Sequence, residues 1–310
     1  KKDINLGAQF TSPIIGVLGY DFGNYRILEQ NTPEFIKLDL QSPKLDPIVP
    51  SGLRVATYNL ENWSRFDEDR TQQFARDITI SLSSPDILML HEVQDDSGSE
   101  DNGETSAKKN ILSLINAIQD KNGPIYSYYE VDPINRSSGG QSGANIRNVM
   151  LYRDDRIKMV KGFTLPDLGF DRSSFRGVRE PLIANIEFEG HEVILVGIHL
   201  VSNNLNTPLF GSIQPIDKPE EEKRIRQAQK IVQISVALRN INPNATLIIL
   251  GDLNDVPNSN TLDQFMQAGF EDPFDSYPLS ERYSVIFEGN AQQFDQIMLK
   301  KAADCQILDS

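Results

Sequence analysis

The stretch Leu247-Ile248-Ile249-Leu250-Gly251-Asp252-Leu253-Asn254 constrains the fold of this chain more than any other. Four consecutive large aliphatics closed by a glycine read as a fully buried strand. The run stops where the backbone must turn. Asp252 and Asn254 are two positions apart, so on extended backbone they project to the same side. An ionised acceptor then stands beside a neutral amide at the mouth of a core strand. That pair suits phosphodiester cleavage, in which the carboxylate orients or deprotonates a water and the amide donates to phosphoryl oxygens as charge grows. A strand followed by an Asx turn accounts for the same residues equally well, because Asp and Asn favour turns.

The chain around it alternates strands and helices. Residues 1–50 hold two short apolar runs, Ile14–Tyr20 and Tyr25–Leu28, about a Gly/Asn turn, which reads as a β-hairpin. Pro33, Pro43, Pro47 and Pro50 then mark a connector. This segment is too short for a domain of its own and is either an edge addition or the tail of a preceding β-domain. From residue 51 to 310 the expectation is one domain. Strands are expected at Leu53–Tyr58, Asp86–Leu90, Leu182–Phe188, Val193–Leu200, Tyr283–Phe287 and Phe294–Leu299. Helices are expected from Asp67 to Leu82, after a Thr105 cap, from Pro219 to Arg239, and after a Ser259 or Asn260 cap, ending at Gly269.

Charge limits the function classes. Thirty basic against 44 acidic residues leave a net charge of −14, so a non-specific electrostatic grip on nucleic acid is not expected. A local cation and a few arginines can still hold a phosphate. A single cysteine, Cys305, excludes an intramolecular disulfide. No apolar run approaches the length that spans a bilayer. The chain opens Lys1-Lys2 without an initiator Met, which reads as a piece of a longer protein.

The strand ends share a property. Asn59, Glu92, His199, Asp252 with Asn254, and Asp295 each lie at or just past an apolar strand. Singly they have ordinary explanations: a turn former, a solvated strand end, a satisfied core histidine, a surface ion pair. Together they supply hard oxygen ligands suited to Mg2+ or Mn2+ and no cysteine cluster for zinc.

Five motifs in order carry a resemblance: Thr57-Tyr58-Asn59-Leu60-Glu61-Asn62, Glu92-Val93-Gln94, Gly197-Ile198-His199-Leu200, Gly251-Asp252-Leu253-Asn254 and Phe294-Asp295-Gln296-Ile297. From Leu53 to about Leu299 the chain resembles the endonuclease/exonuclease/phosphatase superfamily, and Gly139–Asn148 with Leu151-Tyr152-Arg153 is similar to its secreted bacterial nuclease branch. The resemblance implies an α+β fold of four layers, two β-sheets face to face with helices outside. It also implies roles. Glu92 would be the main carboxylate ligand of Mg2+ (or Mn2+), with Asn59 beside it. Asp252 would align the attacking water. Asn254 and His199 would hydrogen-bond the scissile phosphate, and Asp295 would orient a catalytic histidine. Arg147 and Arg179 would contact phosphate or substrate, although a surface salt bridge explains either one equally well.

One departure matters. The superfamily's catalytic histidine follows an Asp in a Ser-Asp-His motif near the C-terminus, and no such triplet occurs here; the three histidines are His91, His191 and His199. A C-terminal piece beyond Ser310 is the expectation. The implied activity is that of a divalent-metal-dependent nuclease, secreted, acting on nucleic acid or another phosphodiester. The alternatives are a phospholipid or inositol-phosphate phosphodiesterase, or a non-catalytic binding module that has lost the histidine. No exposed aromatic hairpin can be assigned to membrane docking from the sequence.

Overall fold

A computed structural model describes residues 8–37, 51–287 and 290–302. The connector expected around Pro43, Pro47 and Pro50, and Cys305, lie outside them. Nine strands and four helices build the sandwich: β1 (Val55–Trp63), α1 (Glu68–Arg76), β2 (Ile87–Val93), α2 (Lys108–Asp120), β3 (Ser127–Glu130), β4 (Arg147–Tyr152), β5 (Ile157–Phe163), β6 (Leu182–Phe188), β7 (His191–His199), α3 (Glu221–Ile241), β8 (Thr246–Asp252), α4 (Asn260–Gln267) and β9 (Asp295–Lys300). One sheet has the order β1-β2-β4-β3 and the other β9-β8-β7-β6-β5.

The sheets face each other across Met89, Met150, Leu182, Ala184, Leu195, Ile248 and Leu250, all buried. α1, the turn that follows it, and α2 cover the outside of the first sheet through Phe74, Ile78, Ile111, Leu114 and Ile118. α3 and α4 cover the second through Ala228, Ile231, Leu238, Leu262 and Phe265. The expected α+β sandwich of helix, sheet, sheet and helix layers is therefore present. The Leu247–Leu250 run is buried because it has apolar layers on both faces.

Each sheet contains one parallel pair, β1 with β2 and β7 with β8; the other sandwich pairings are antiparallel. A parallel pair puts two carboxyl ends side by side. Glu92, His199 and Asp252 lie at or next to such ends, whereas Asn59 lies within β1, where its regular pairing with β2 breaks off. Asp295 departs from the expectation of a strand exit: it opens β9. Because β9 runs antiparallel to β8, its first residue still lies opposite Asp252.

Other boundaries moved for identifiable reasons. The helix expected through Leu82 changes at Asp77 to a π-helical turn, Asp77–Ser81. α2 begins past Thr105, and its first turn is satisfied by Asp96, whose Oδ1 accepts from Lys109 N at 2.7 Å and Asn110 N at 3.0 Å. α3 starts at Glu221, two residues beyond Pro219. Ser259 caps α4 as expected, accepting from Leu262 N. The short strand β3 and the strand β5 have no counterpart in the sequence reading.

The N-terminal hairpin forms, Gly16–Asp21 against Asn24–Glu29. It does expose aromatics: Tyr20, Phe22 and Tyr25 are all solvent-facing, with Val17, Leu18, Ile27 and Leu28. Its turn docks on the loop that follows β7, where Tyr25 N donates to Phe210 O at 2.7 Å. No helix among the described residues is long and apolar enough to cross a membrane.

Candidate active site

The first sheet delivers Asn59 and Glu92 through irregular backbone. The β1–β2 register runs to Asn59↔His91 and resumes only at Trp63↔Val93. Across β4 the pairing is likewise interrupted between Leu90 and Val93. Bulges of this kind re-aim a side chain at a sheet edge. Glu92 takes φ 59° within the interruption, and Glu61 and Asn62 are left-handed as well. The strand turns sharply enough there to direct the Glu92 carboxylate toward the other sheet.

The second sheet delivers His199, Asp252 and Asn254. β7 and β8 end side by side, with His199 in register with Asp252. Gly251 precedes them with φ 142°, a region that favours glycine. A Cβ at this position would run into the backbone oxygen of Ile198 and lie 2.8 Å from His91 Cε1. The Gly-Asp-x-Asn motif thus has a steric reason for its glycine.

The two sheets meet through one amide. Asn59 Nδ2 donates to Asp252 Oδ2 at 3.0 Å and to Glu92 Oε1 at 3.3 Å. His199 Nε2 lies 3.7 Å from Glu92 Oε1 and 3.8 Å from Asp252 Oδ2. Asp252 Oδ1 accepts from Asn254 N at 2.8 Å, and Asn254 Nδ2 donates to Leu200 O at 3.1 Å. Four of the expected residues therefore converge directly, and Asn254 braces both strand ends.

Asn59 differs from the expected oxygen ligand. Its Oδ1 accepts from Glu61 N at 2.8 Å, so the group turned to Glu92 is the amide nitrogen. Two carboxylates in one site attract the donor end of the amide, and Asn59 acts as the bridge between them.

The electrostatics follow from burial. Burial raises the Glu92 carboxyl above its ordinary range, against the hydrogen bond from Asn59 and the charge of Arg179. Burial, then Arg179 and His91, hold His199 far below the usual imidazole value, so it is neutral. Arg179 is itself pushed down to about 10 by burial and held up by Glu92 and Asp252. Arg179 Nη2 donates to Leu200 O at 3.0 Å, while its Nε is buried without a protein partner. Asp295 is pushed up to about 7 by burial first and then by the charge of Asp252. Its Oδ1 is buried and has no partner among the described residues.

Arg147 is the clear exception among the expected residues. Its Nη1 is shared between Glu130 Oε2 at 2.8 Å and Asp132 Oδ1 at 2.7 Å, and its Nη2 donates to Asn145 O at 3.2 Å. A buried guanidinium keeps the partners that offset its desolvation. Arg147 is held here in an internal ion pair, on the wall of a pocket that Arg179 also lines.

Five residues given no role from the sequence support the site: His91, Thr57, Asn148, Arg224 and Gln227. His91, fully buried, packs edge to face on His199 with ring centroids 5.9 Å apart. Its Nε2 is 2.8 Å from Thr57 Oγ1 and its Nδ1 2.8 Å from Asn148 Oδ1. The Asn148 amide nitrogen donates to Glu180 O and Gly197 O. Asn148 Oδ1 must then accept from His91 Nδ1–H, and the neutral ring receives the Thr57 hydroxyl at Nε2. The signal lay in adjacency: His91 immediately precedes Glu92, and Thr57 is two residues before Asn59. From α3, Arg224 Nε reaches Asp255 Oδ2 at 3.0 Å and Gln227 Oε1 accepts from Val201 N at 3.1 Å. One helix thereby fixes both loops that leave β7 and β8.

The donor set fits a hard divalent cation. Glu92 and Asp252 share one amide, and His199, within 4 Å of both, is neutral. Among the described residues no group of three His, Cys, Asp or Glu side chains is arranged to hold a metal. Glu92 would hold the ion with waters or phosphate oxygens completing its shell, the environment Mg2+ accepts.

No protein-family profile matches the sequence, and no curated protein matches it. In structure the chain is similar to an endonuclease/exonuclease/phosphatase family protein from Leptotrichia buccalis, with a TM-score of 0.55 at 16% identity over 81% of this chain and 88% of that one. It is also similar to TDP2 of D. rerio solved with a single-strand DNA product, with a TM-score of 0.52 at 16% identity over 82% and 86%. The human Nocturnin catalytic domain with bound sulfate gives 0.50 at 14% identity over 80% and 81%. At these identities the likeness is one of fold, the sandwich of two packed sheets between helix layers.

Proposed function

We propose that this chain is a divalent-metal-dependent phosphodiester hydrolase acting on nucleic acid. The observation that carries the reading is the bridge from Asn59 to Glu92 and Asp252, with His199 Nε2 within 4 Å of both carboxylates. The fold shared with TDP2 of D. rerio, which was solved with a single-strand DNA product, supports it. Glu92, oriented by Asn59, would hold Mg2+ or Mn2+. When bound, such an ion would supply Lewis-acid neutralisation of the phosphoryl oxygens. Asp252, fixed by Asn59 and by Asn254 N, orients a water and accepts its proton. The spare amide N–H of Asn254 and the neutral imidazole of His199 face the phosphate, and Arg179 adds a positive charge beside it. Asp295 presents an unpaired buried oxygen that takes an imidazole N–H; neither His91 nor His199 makes that bond, and His191 begins β7 at the end opposite His199.

A second reading has its own observation. Leu18, Tyr20, Phe22 and Ile27 of the hairpin and Leu209 and Phe210 of the docked loop are all exposed, and apolar patches of this kind mark contact surfaces. A lipid-borne phosphodiester is the substrate class this favours.

The test is hydrolysis of single-stranded DNA, duplex DNA, RNA, sphingomyelin and inositol phosphates in Mg2+, Mn2+ and EDTA. Nucleic-acid turnover that EDTA abolishes is expected. Turnover of sphingomyelin alone would replace the first reading with the second. Calorimetric titration with Mn2+ should show strongly weakened binding in Glu92→Gln, and unchanged affinity would remove Glu92 from the metal.

A further inference from the structure

We propose that Phe66 is a stacking platform for one unpaired nucleobase beside the scissile phosphate, so that the preferred substrate is single-stranded or frayed. The inference rests on the nucleic-acid reading above and names the substrate form it takes. Phe66 is 64% exposed, although the segment that carries it is pinned. Arg65 N donates to Asn110 Oδ1 at 3.2 Å, and Arg65 Nη2 donates to Asp96 O at 3.1 Å. The Arg65 guanidinium then lies over one face of the Phe66 ring, 4.3 Å from its centroid. Gly98 closes the ring edge: a Cβ there would stand 3.3 Å from Phe66 Cδ2 and 3.5 Å from Gln94 Oε1. An exposed ring held this way has lost its conformational freedom in advance of binding.

The ring lines a cleft of about 590 Å3 that also contains Asn62, Ser64 and Asp67. One segment links it to the site. Asn62, which lines the cleft, donates its backbone N–H to the Glu92 carboxylate. The carbonyls just before it, at Leu60 and Glu61, receive Nη2 of Arg70, another lining residue. The cleft therefore adjoins Glu92 through Asn62. Its lining carries three carboxylates, Asp67, Glu68 and Asp69, against one cation, Arg70, a balance that disfavours a phosphate. A neutral aromatic ligand whose exocyclic amines can donate to carboxylates meets both demands. A nucleobase does so, and every base offers a π-face.

The experiment is a coupling measurement with the full chain. KM and anisotropy Kd are measured for labelled single-stranded oligonucleotides in which one position at a time is abasic, with wild type, Phe66→Ala and Phe66→Trp. In wild type, one abasic position near the cleavage point should weaken binding about 5- to 150-fold, the range of base–aromatic stacking. The same lesion should cost Phe66→Ala nothing further, and Phe66→Trp should restore the wild-type profile. A general packing role for Phe66 would weaken all oligonucleotides equally, without dependence on one base, and would overturn the platform. If wild type cleaves nucleic acid but no position couples to Phe66, the platform fails and the hydrolase reading stands. If wild type neither binds nor cleaves any nucleic acid, the hydrolase reading fails and takes the platform with it.

Discussion

Acid should destabilise the metal-free protein through His91, by an amount the structure bounds. The ring is fully buried, and burial is the largest cause that brings its pKa down to about 4 from 6.5. The hydrogen bond from Nδ1–H to Asn148 and the charge of Asp252 oppose this, and the positive charge of Arg179 adds to it. A base whose folded pKa is depressed binds protons more readily when unfolded. Its contribution to stability is therefore complete above pH 6.5 and is lost as pH falls through the interval down to 4. At about 1.36 kcal/mol per pH unit, the loss between pH 8 and pH 4 from this one group is about 3 kcal/mol. Urea unfolding in EDTA, read by the fluorescence of the single, buried Trp63, measures it at each pH. Carboxylates also titrate here, so the comparison is with His91→Gln. The fall in stability from pH 8 to pH 4 should be smaller in the variant by about 3 kcal/mol, whatever its baseline. Parallel pH profiles for the two proteins would refute the argument and place a proton or a water on His91 in the native state.

Three further outcomes follow from the site. Asp252→Asn keeps the side-chain volume but removes the acceptor charge, so turnover should fall on the order of a hundredfold or more with folding intact; a folded variant with near-normal turnover would reduce Asp252 to a turn residue. Gly251→Ala forces a side chain onto the Ile198 carbonyl and beside His91, at a φ that L-residues rarely adopt. About 3 kcal/mol or more of lost stability is expected from overpacking and backbone strain together, measured by urea titration at pH 7. Millimolar imidazole added to the reaction should raise turnover in wild type and not in Asp295→Asn, because the unpaired Asp295 oxygen is the acceptor; equal response in both would separate Asp295 from proton transfer.

The sequence made the backbone of this argument visible wherever chemistry and position coincide in a contiguous stretch. Leu247–Asn254 names its own burial, its turn and its acid–amide pair, and Asn59, Glu92, His199 and Asp252 meet as their strand-end positions imply. What stayed hidden depends on partners distant in sequence. Arg147 reads as a phosphate contact or an ion pair until β3 supplies Glu130, and β3 is four half-buried residues with no strong periodicity. The orientation of the Asn59 amide depends on Glu61 N and on two carboxylates from different sheets. Strand topology decides the rest. β1 with β2 and β7 with β8 are the two parallel pairs, and they carry the four residues that converge. An antiparallel arrangement of either pair would have put its two exits at opposite ends of a strand, roughly 20–25 Å apart at 3.3 Å per residue. Asp295 is the converse case: on an antiparallel strand it joins the cluster only because it begins β9 instead of ending it. A polar residue at a strand end thus becomes a site residue through the direction of the neighbouring strand, which no single motif in this chain encodes.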